Sequence, residues 1–197
     1  DAASGTKRRI DQGKWGYHPD MVDATVSWSP DSRWLAYARG LDNRNNAIFL
    51  YDSRSGETRQ LTSGAFNDFA PVFDASGNYL LALSHRRFNP TFGDLAFDAT
   101  WTYTNGTVVS LIPLRAGLPT PGKKGWKKPL DAGETRIEFD GAETRLRVLS
   151  ATPGLLSSLR AIDNGYVLVR QGDGDAPNRL EAYALDNRGD MRQVQWS

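Results

Sequence analysis

The chain has 197 residues, and its 24 Lys and Arg residues nearly balance its 23 Asp and Glu residues, giving a formal charge of +1. Hydrophobic residues make up 39% and cysteine is absent, so the composition predicts a packed core and excludes disulfides, thiolate chemistry and cysteine-bound zinc. The balanced charge argues against a nucleic-acid partner, and no apolar run approaches the roughly 18 residues that a membrane-spanning helix needs.

Short apolar runs alternate with turn-forming residues along most of the chain. The runs are rich in β-branched and aromatic residues, and no stretch has the sustained 3.6-residue periodicity of a helix. The pattern predicts an all-β protein. Its strands are expected at 24–28, 34–39, 47–51, 58–62, about 70–73, 79–84, 107–112, 136–149, 159–162, 166–170, 180–185 and 191–196.

The connections between these strands are tight turns. Ser29–Ser32 has Pro at the second position of a type I turn, and Asp74–Gly77 begins with Asp and ends with Gly. Asn164 and Gly165 favour a two-residue hairpin. Such short connections join antiparallel strands and leave no room for crossover helices.

An internal repeat organises the strands. Val26–Ala36 aligns with Pro71–Leu81, which pairs aromatic residues at a spacing of about 45 residues, and a weaker third copy begins at Leu159. Four strands per copy predict the blades of a β-propeller. We expect blades at about 20–63, 64–152 and 153–197 within one domain covering 1–197; a β-sandwich with accidental similarity is the alternative.

Three blades are fewer than the roughly four to eight of a closed ring. The sequence therefore predicts a partial ring, an arc of a six- or seven-bladed propeller, with Pro71 on an innermost edge strand, where Pro is tolerated. The segment Lys7–Asp11 is a candidate outer strand of a further blade. An arc exposes an apolar face at each end, so we expect self-association, and two arcs closing one six-bladed ring is one such arrangement.

No constellation of catalytic or metal-binding residues is evident. The histidines are His18 and His85, there is no G-x-S-x-G elbow, and adjacent strand residues such as Ser84 and His85 point to opposite faces. Asp173-Gly174-Asp175 lacks the further ligands of a calcium loop. We expect no catalytic residue, no metal site and no cofactor in this chain.

An insertion at about 115–133 interrupts the second copy and is rich in Gly, Pro and Lys around Trp126. Lysines around an aromatic residue are compatible with contacts to a nucleic acid, but a flexible, solvated loop explains them more simply.

Arg86 and Arg87 follow the second strand of the second copy, where the chain leaves the sheet for a long loop. Guanidinium groups bind carboxylates through paired hydrogen bonds, so these two residues are candidates for substrate binding near a propeller face. The alternative, which we favour, is that they pair with acidic residues of turns, such as Asp94 and Asp98.

Several of these motifs resemble known propellers. Trp28–Tyr37, Leu50–Asp52 and Leu61–Thr62 resemble blades of TolB-like and tricorn-like propellers. Pro71–Asp74, Ser84, Arg86, Phe88-Asn89-Pro90 and Glu138–Gly141 resemble, more specifically, one blade of the tricorn protease family, although His85 stands where Asn is more usual.

The resemblance implies a role for the chain rather than a reaction. It implies the non-catalytic propeller portion of a large serine peptidase that degrades oligopeptides, acting as scaffold and as gate or channel for peptides. The expected partners are peptides or protein segments and the remaining domains of that protease. The alternative is a TolB-like propeller that serves as a scaffold for protein–protein interaction.

Overall fold

The computed structural model describes residues 5–13, 25–87, 91–92, 101–102, 106–121, 133–149, 152–163, 165–172, 175–185 and 191–192. These residues form three four-stranded antiparallel sheets. Blade 1 contains β1 (Val26–Trp28), β2 (Trp34–Gly40), β3 (Asn46–Asp52) and β4 (Thr58–Gln60). Blade 2 is formed by β5 (Asp68–Phe73), β6 (Tyr79–Ser84), β9 (Val108–Pro113) and β10 (Arg147–Val148). Blade 3 is formed by β11 (Leu156–Ile162), β12 (Gly165–Arg170), β13 (Arg179–Ala184) and β14 (Met191–Arg192).

Two further elements lie within the connections of blade 2. A separate hairpin of β7 (Thr91–Phe92) and β8 (Trp101–Thr102) follows β6, and the one-turn helix α1 (Ala142–Arg145) precedes β10. No helix in the described part of the chain is long and apolar enough to cross a membrane.

The three sheets are arranged as neighbouring blades. Within each blade the strands pair in chain order, and the first strands come together, because β5 contacts both β1 and β11. This arrangement confirms the predicted fold, a partial β-propeller of three four-stranded blades.

Strand alternation places apolar side chains on both faces of blade 2. Leu80, Ala82 and Ile112 point toward blade 1, whereas Leu81, Leu83 and Leu111 point toward blade 3. Blade 1 contributes Trp34, Ile48 and Leu50 to the first joint, and blade 3 contributes Leu159, Tyr166 and Leu168 to the second. Blade 2 is therefore covered on both faces.

The two end faces, in contrast, keep apolar side chains in solvent. On blade 1, Val26 is 56% exposed and Trp28 is 51% exposed. On blade 3, Ile162 is 44% exposed and Leu180 is 40% exposed, and both alternate with residues that face blade 2. These faces, here called the end faces, are the surfaces that adjoining blades cover in a longer propeller arc.

The N-terminal segment lies against part of the end face of blade 1. Asp11 accepts hydrogen bonds from Tyr37 and Arg39, and the Arg8 guanidinium lies 5.7 Å from the centre of the Tyr51 ring. Lys7–Asp11 forms no strand, so the expected outer strand is not present as such. Instead, its Arg8 and Asp11 side chains contact residues of β2 and β3 on this face.

Pro71 lies on β5, the edge strand of blade 2, as the sequence predicts. The register of β5 shifts between Phe69 and Val72, where Ala70 has φ 49°. The first strand of blade 3 shifts in the same way around Ser158, which has φ 54°. Each of these edge strands therefore contains a β-bulge, and in blade 2 the bulge includes Pro71, which has no backbone N–H to donate to the ladder.

The outer part of blade 2 differs from the predicted strand at 136–149. Only Arg147 and Val148 pair with β9, and the residues before them turn toward blade 1. Phe139 packs against Trp34 with ring centres 5.9 Å apart, and Ala142 is buried in the joint between the blades. Apolar contact with the neighbouring blade therefore replaces strand pairing in this segment.

Candidate functional site

The loops that follow the second and fourth strands of blade 1 lie together with the loop after β6. The side-chain amides of Asn43 and Asn45 donate to the Gly64 carbonyl at 2.9 and 3.0 Å. The backbone N–H of His85 donates to the carbonyl of Asn67 at 3.0 Å. Residues 41–45, 61–67 and 85–87 therefore form one surface at this end of blades 1 and 2, here called the loop face.

Arg86 is bound by two carboxylates on this face. Its Nη2 lies 2.8 Å from Asp68 Oδ2 and 3.0 Å from Glu143 Oε1, and its Nε donates to Asp68 Oδ1 at 3.2 Å. The Arg86 side chain is 11% exposed and that of Asp68 is fully buried. The sequence-predicted arginine is thus part of an ion-pair cluster.

Further contacts tie this cluster to both blades. Ser84 Oγ donates to the Asp68 carboxylate, and the Phe66 ring centre lies 4.6 Å from the Arg86 guanidinium carbon. The backbone N–H of Ser63 donates to Glu143 Oε2 at 2.8 Å. The cluster therefore links the connection after blade 1, the first strand of blade 2 and helix α1.

Glu143 is charged at neutral pH in this environment. Partial burial raises the pKa of its carboxyl, but the hydrogen bonds from Ser63 and the charge and hydrogen bond of Arg86 lower it more, so the net pKa lies below the ordinary value. Glu143 accordingly presents a negative charge to Arg86.

Arg87 is in a different environment. Its side chain is exposed and makes no ion pair or hydrogen bond with the described part of the chain. The acidic partners suggested by the sequence, Asp94 and Asp98, lie outside the described residues. Asp68 and Glu143 bind the neighbouring Arg86 instead, and neither was identified from the sequence, because each is distant from Arg86 along the chain.

His85 and Ser84 point in different directions. Asn67 Nδ2 lies 3.3 Å from His85 Nδ1, and the imidazole meets the Phe69 ring edge-on at 5.2 Å between centres. Loss of solvent around the ring lowers the pKa of His85, partly offset by the Asp68 carboxylate. Ser84 Oγ is directed at Asp68, away from this ring, and His18 lies outside the described residues.

A second ion-pair cluster lies at the opposite end of the joint between blades 1 and 2. Arg33 Nη2 lies 2.8 Å from Asp52 Oδ2, and Arg33 Nη1 lies 3.0 Å from Glu134 Oε1. The Arg33 hydrogen bonds lower the pKa of Asp52 to about 2. Thr135 follows Glu134 and donates its backbone N–H to Asp31 Oδ2 at 2.9 Å.

The start of the basic insertion packs on blade 2. Tyr79 Oη donates to the Pro119 carbonyl at 2.6 Å, and Arg115 Nη2 donates to Asn78 Oδ1 at 3.1 Å. The lysines and Trp126 of the insertion lie outside the described residues, so its predicted flexibility stays a prediction.

Among the described residues, no three His, Cys, Asp or Glu side chains are grouped so that they could hold a metal ion. Asp173 and Gly174 lie outside those residues, and Asp175 is exposed.

The comparisons with known proteins identify relatives in sequence and in fold. No protein-family model matches the chain. The tricorn protease of Thermoplasma volcanium is 32% identical over 146 residues, which cover 71% of this chain and 13% of that protein. The chain therefore spans only a small part of the curated relative that it matches.

Solved structures show which known folds the chain resembles. A crystal structure of the tricorn protease superposes with a TM-score of 0.76 at 20% identity, covering 99% of this chain and 20% of that one. TolB from Acinetobacter baumannii superposes with a TM-score of 0.53 at 15% identity, covering 88% of this chain and 32% of that one. The chain is thus a homologue of tricorn proteases in sequence and part of a tricorn- and TolB-like β-propeller in fold.

Proposed function

We propose that the chain is the non-catalytic propeller portion of a tricorn-like serine peptidase, in which it acts as scaffold and as gate or channel for oligopeptides. The observation that carries the proposal is the homology to a tricorn protease, which covers most of this chain but a small part of that relative. The two exposed end faces support it, because further blades in the same ring would cover them.

A channel role is consistent with the inner strands. The first strand of each blade is a sheet edge, so its outward backbone groups have no partner strand within the sheet. The bulges at Ala70 and Ser158 interrupt these edges. An interrupted edge offers an extended peptide some hydrogen bonds without a continuous strand partner, which favours passage over permanent capture.

The loop face supplies a site for the end of such a peptide. Of the two arginines that the sequence suggests for carboxylate binding, we assign this contact to Arg87, which is exposed, because Arg86 already binds Asp68 and Glu143. A peptide anchored there by its carboxyl end would lie at the rim of blade 2, next to the joint with blade 1.

The channel role can be tested in the full-length protein with a cysteine at Ser157, an exposed residue of the first strand of blade 3. A bulky maleimide at this cysteine should slow turnover of a long peptide more than that of a chromogenic dipeptide. A cysteine at Ser55, in the outer turn of blade 1, is the matched control. Equal effects on both substrates, or none at Ser157, would contradict the channel.

The likeness to TolB favours a second candidate, a scaffold for protein–protein interaction without a link to proteolysis. Peptidase turnover by the full-length protein separates the two. If the chain is part of a peptidase, the full-length protein should hydrolyse peptides. Complete absence of hydrolysis favours the scaffold.

A further inference from the structure

We infer that residues 134–145, here called the strap, couple the two ends of the joint between blades 1 and 2, so that release of the strap at one end loosens the contacts at the other. The strap precedes the outer strand of blade 2 in the sequence, but it leaves that sheet and packs against blade 1. The inference goes beyond the proposed scaffold role, because it makes one segment responsible for how firmly two blades hold together.

One end of the strap is anchored to turns of blade 1, at the end of the joint opposite the loop face. Glu134 Oε1 lies 3.0 Å from Arg33 Nη1 and 3.0 Å from Arg54 Nη1, which belong to two different turns. Thr135 is 2% exposed, and its carbonyl accepts a hydrogen bond from Trp34 Nε1 at 3.2 Å. The first two residues of the strap are therefore fixed to blade 1.

The middle of the strap fills part of the joint. The Phe139 ring packs against Trp34, and the guanidinium carbon of Arg59 lies 3.9 Å from the centre of the Phe139 ring. Ala142 is 1% exposed and lies in the apolar cluster that both blades form. Displacement of this part of the strap leaves a cavity between the blades, which opposes independent movement of the strap.

The other end of the strap is anchored at the loop face. Glu143 Oε2 accepts the backbone N–H of Ser63, in the connection after blade 1, at 2.8 Å. Its other carboxylate oxygen lies 3.0 Å from Nη2 of Arg86, which follows the second strand of blade 2. The strap therefore extends along the joint from one end to the other.

The strap is also closed on itself. The Arg145 guanidinium donates from Nε to the Pro113 carbonyl at 3.0 Å, from Nη1 to the Asp140 carbonyl at 2.8 Å, and from Nη2 to the Glu138 carbonyl. The backbone N–H of Glu138 donates to the Leu114 carbonyl at 2.7 Å. A segment that is braced in this way and held at both ends transmits a change at one anchor to the other.

The test measures amide hydrogen exchange by mass spectrometry in the full-length protein. The double variant Glu134→Gln, Thr135→Ala removes the side-chain anchors at one end, and exchange of residues 61–67 at the other end should rise by about twofold to tenfold. Arg136→Gln is the matched control and should exchange like the wild type, because this exposed side chain makes no ion pair or hydrogen bond with the described part of the chain. Strand β12 of blade 3 reports global unfolding and should keep the wild-type rate in every variant.

The reverse experiment checks that the coupling acts in both directions, as coupling between two sites must. Glu143→Gln removes the loop-face anchor, and exchange of residues 29–34 at the far end should rise by a similar factor. Variants that change exchange only at their own end would show that the two ends are independent, and the inference would be wrong. An equal rise in β12 would overturn it as well, because the effect would then be a general loss of stability.

Discussion

At the residue scale, an ion-pair cluster lies at each end of the joint between blades 1 and 2. Each cluster contains one arginine and two carboxylates. Arg33 binds Asp52 and Glu134 at one end, and Arg86 binds Asp68 and Glu143 at the other. In each cluster one carboxylate is buried and the other is partly exposed. A buried carboxylate has no water to stabilise its charge and depends on its arginine. Breaking the pair at the buried carboxylate should therefore cost more unfolding free energy than breaking the pair at the exposed one.

Asp68→Asn should therefore cost about 3–5 kcal/mol of unfolding free energy, because it breaks a buried pair and leaves the Arg86 charge poorly compensated. Glu134→Gln, at a residue 42% exposed, should cost about 0–1 kcal/mol. Urea unfolding followed by tryptophan fluorescence measures both. Similar losses in the two variants would contradict the assigned difference in burial.

Asp52 should contribute to acid sensitivity. Its pKa is about 2 in the folded chain and about 3.8 without its partners, so folding stabilises the charged form. This contribution is fully present above about pH 4 and is lost as pH falls toward about 2. Asp52→Asn should be less stable than the wild type at pH 7, and the difference should shrink between pH 4 and pH 2. A difference independent of pH would show that Arg33 does not depress this pKa.

At the scale of elements, strands were predictable where local chemistry decides the structure. Short apolar runs bounded by tight turns located the second strand of each blade, and Pro71 marked an edge. The short outer strand of blade 2 was not predictable, because Phe139 and Ala142 pack against a different blade. The partners of Arg86 were missed for the same reason, since ion pairs between distant segments leave no local pattern.

The turn that ends at Gly77 packs closely against the segment that contains Thr135. Gly77 has φ 69°, and an added Cβ would lie 2.6 Å from Thr135 Oγ1. Gly117 has φ 76° with nothing within 4 Å of the added atom. Both substitutions to Ala should cost about 1 kcal/mol of backbone strain, and Gly77→Ala should cost about 1–3 kcal/mol more for the clash. Thermal unfolding of the two variants measures the difference, and equal costs would contradict the close approach of Thr135.

At the scale of the whole molecule, the end faces determine how the chain behaves alone. Val26 and Trp28 on blade 1, and Ile162 and Leu180 on blade 3, are exposed where adjoining blades would pack. Apolar side chains grouped on such a face favour association in water.

The isolated chain should therefore self-associate, as the sequence also predicts. The double variant Trp28→Glu, Leu180→Glu should shift it toward the monomer in sedimentation velocity, because each charge opposes burial of an end face. Val148→Glu, at an exposed residue of the outer strand of blade 2, is the control and should leave association unchanged. A monomeric wild-type chain at the same concentration would contradict apolar association through the end faces.

The most direct test of the central claim is an experimental structure of the full-length protein. We expect blades 1 to 3 to be consecutive in one ring, further blades to cover Trp28 and Leu180, and a serine peptidase domain to lie elsewhere in the same polypeptide. A structure in which both end faces remain in solvent, or in which the three sheets do not share an axis with any further blade, would contradict this assignment.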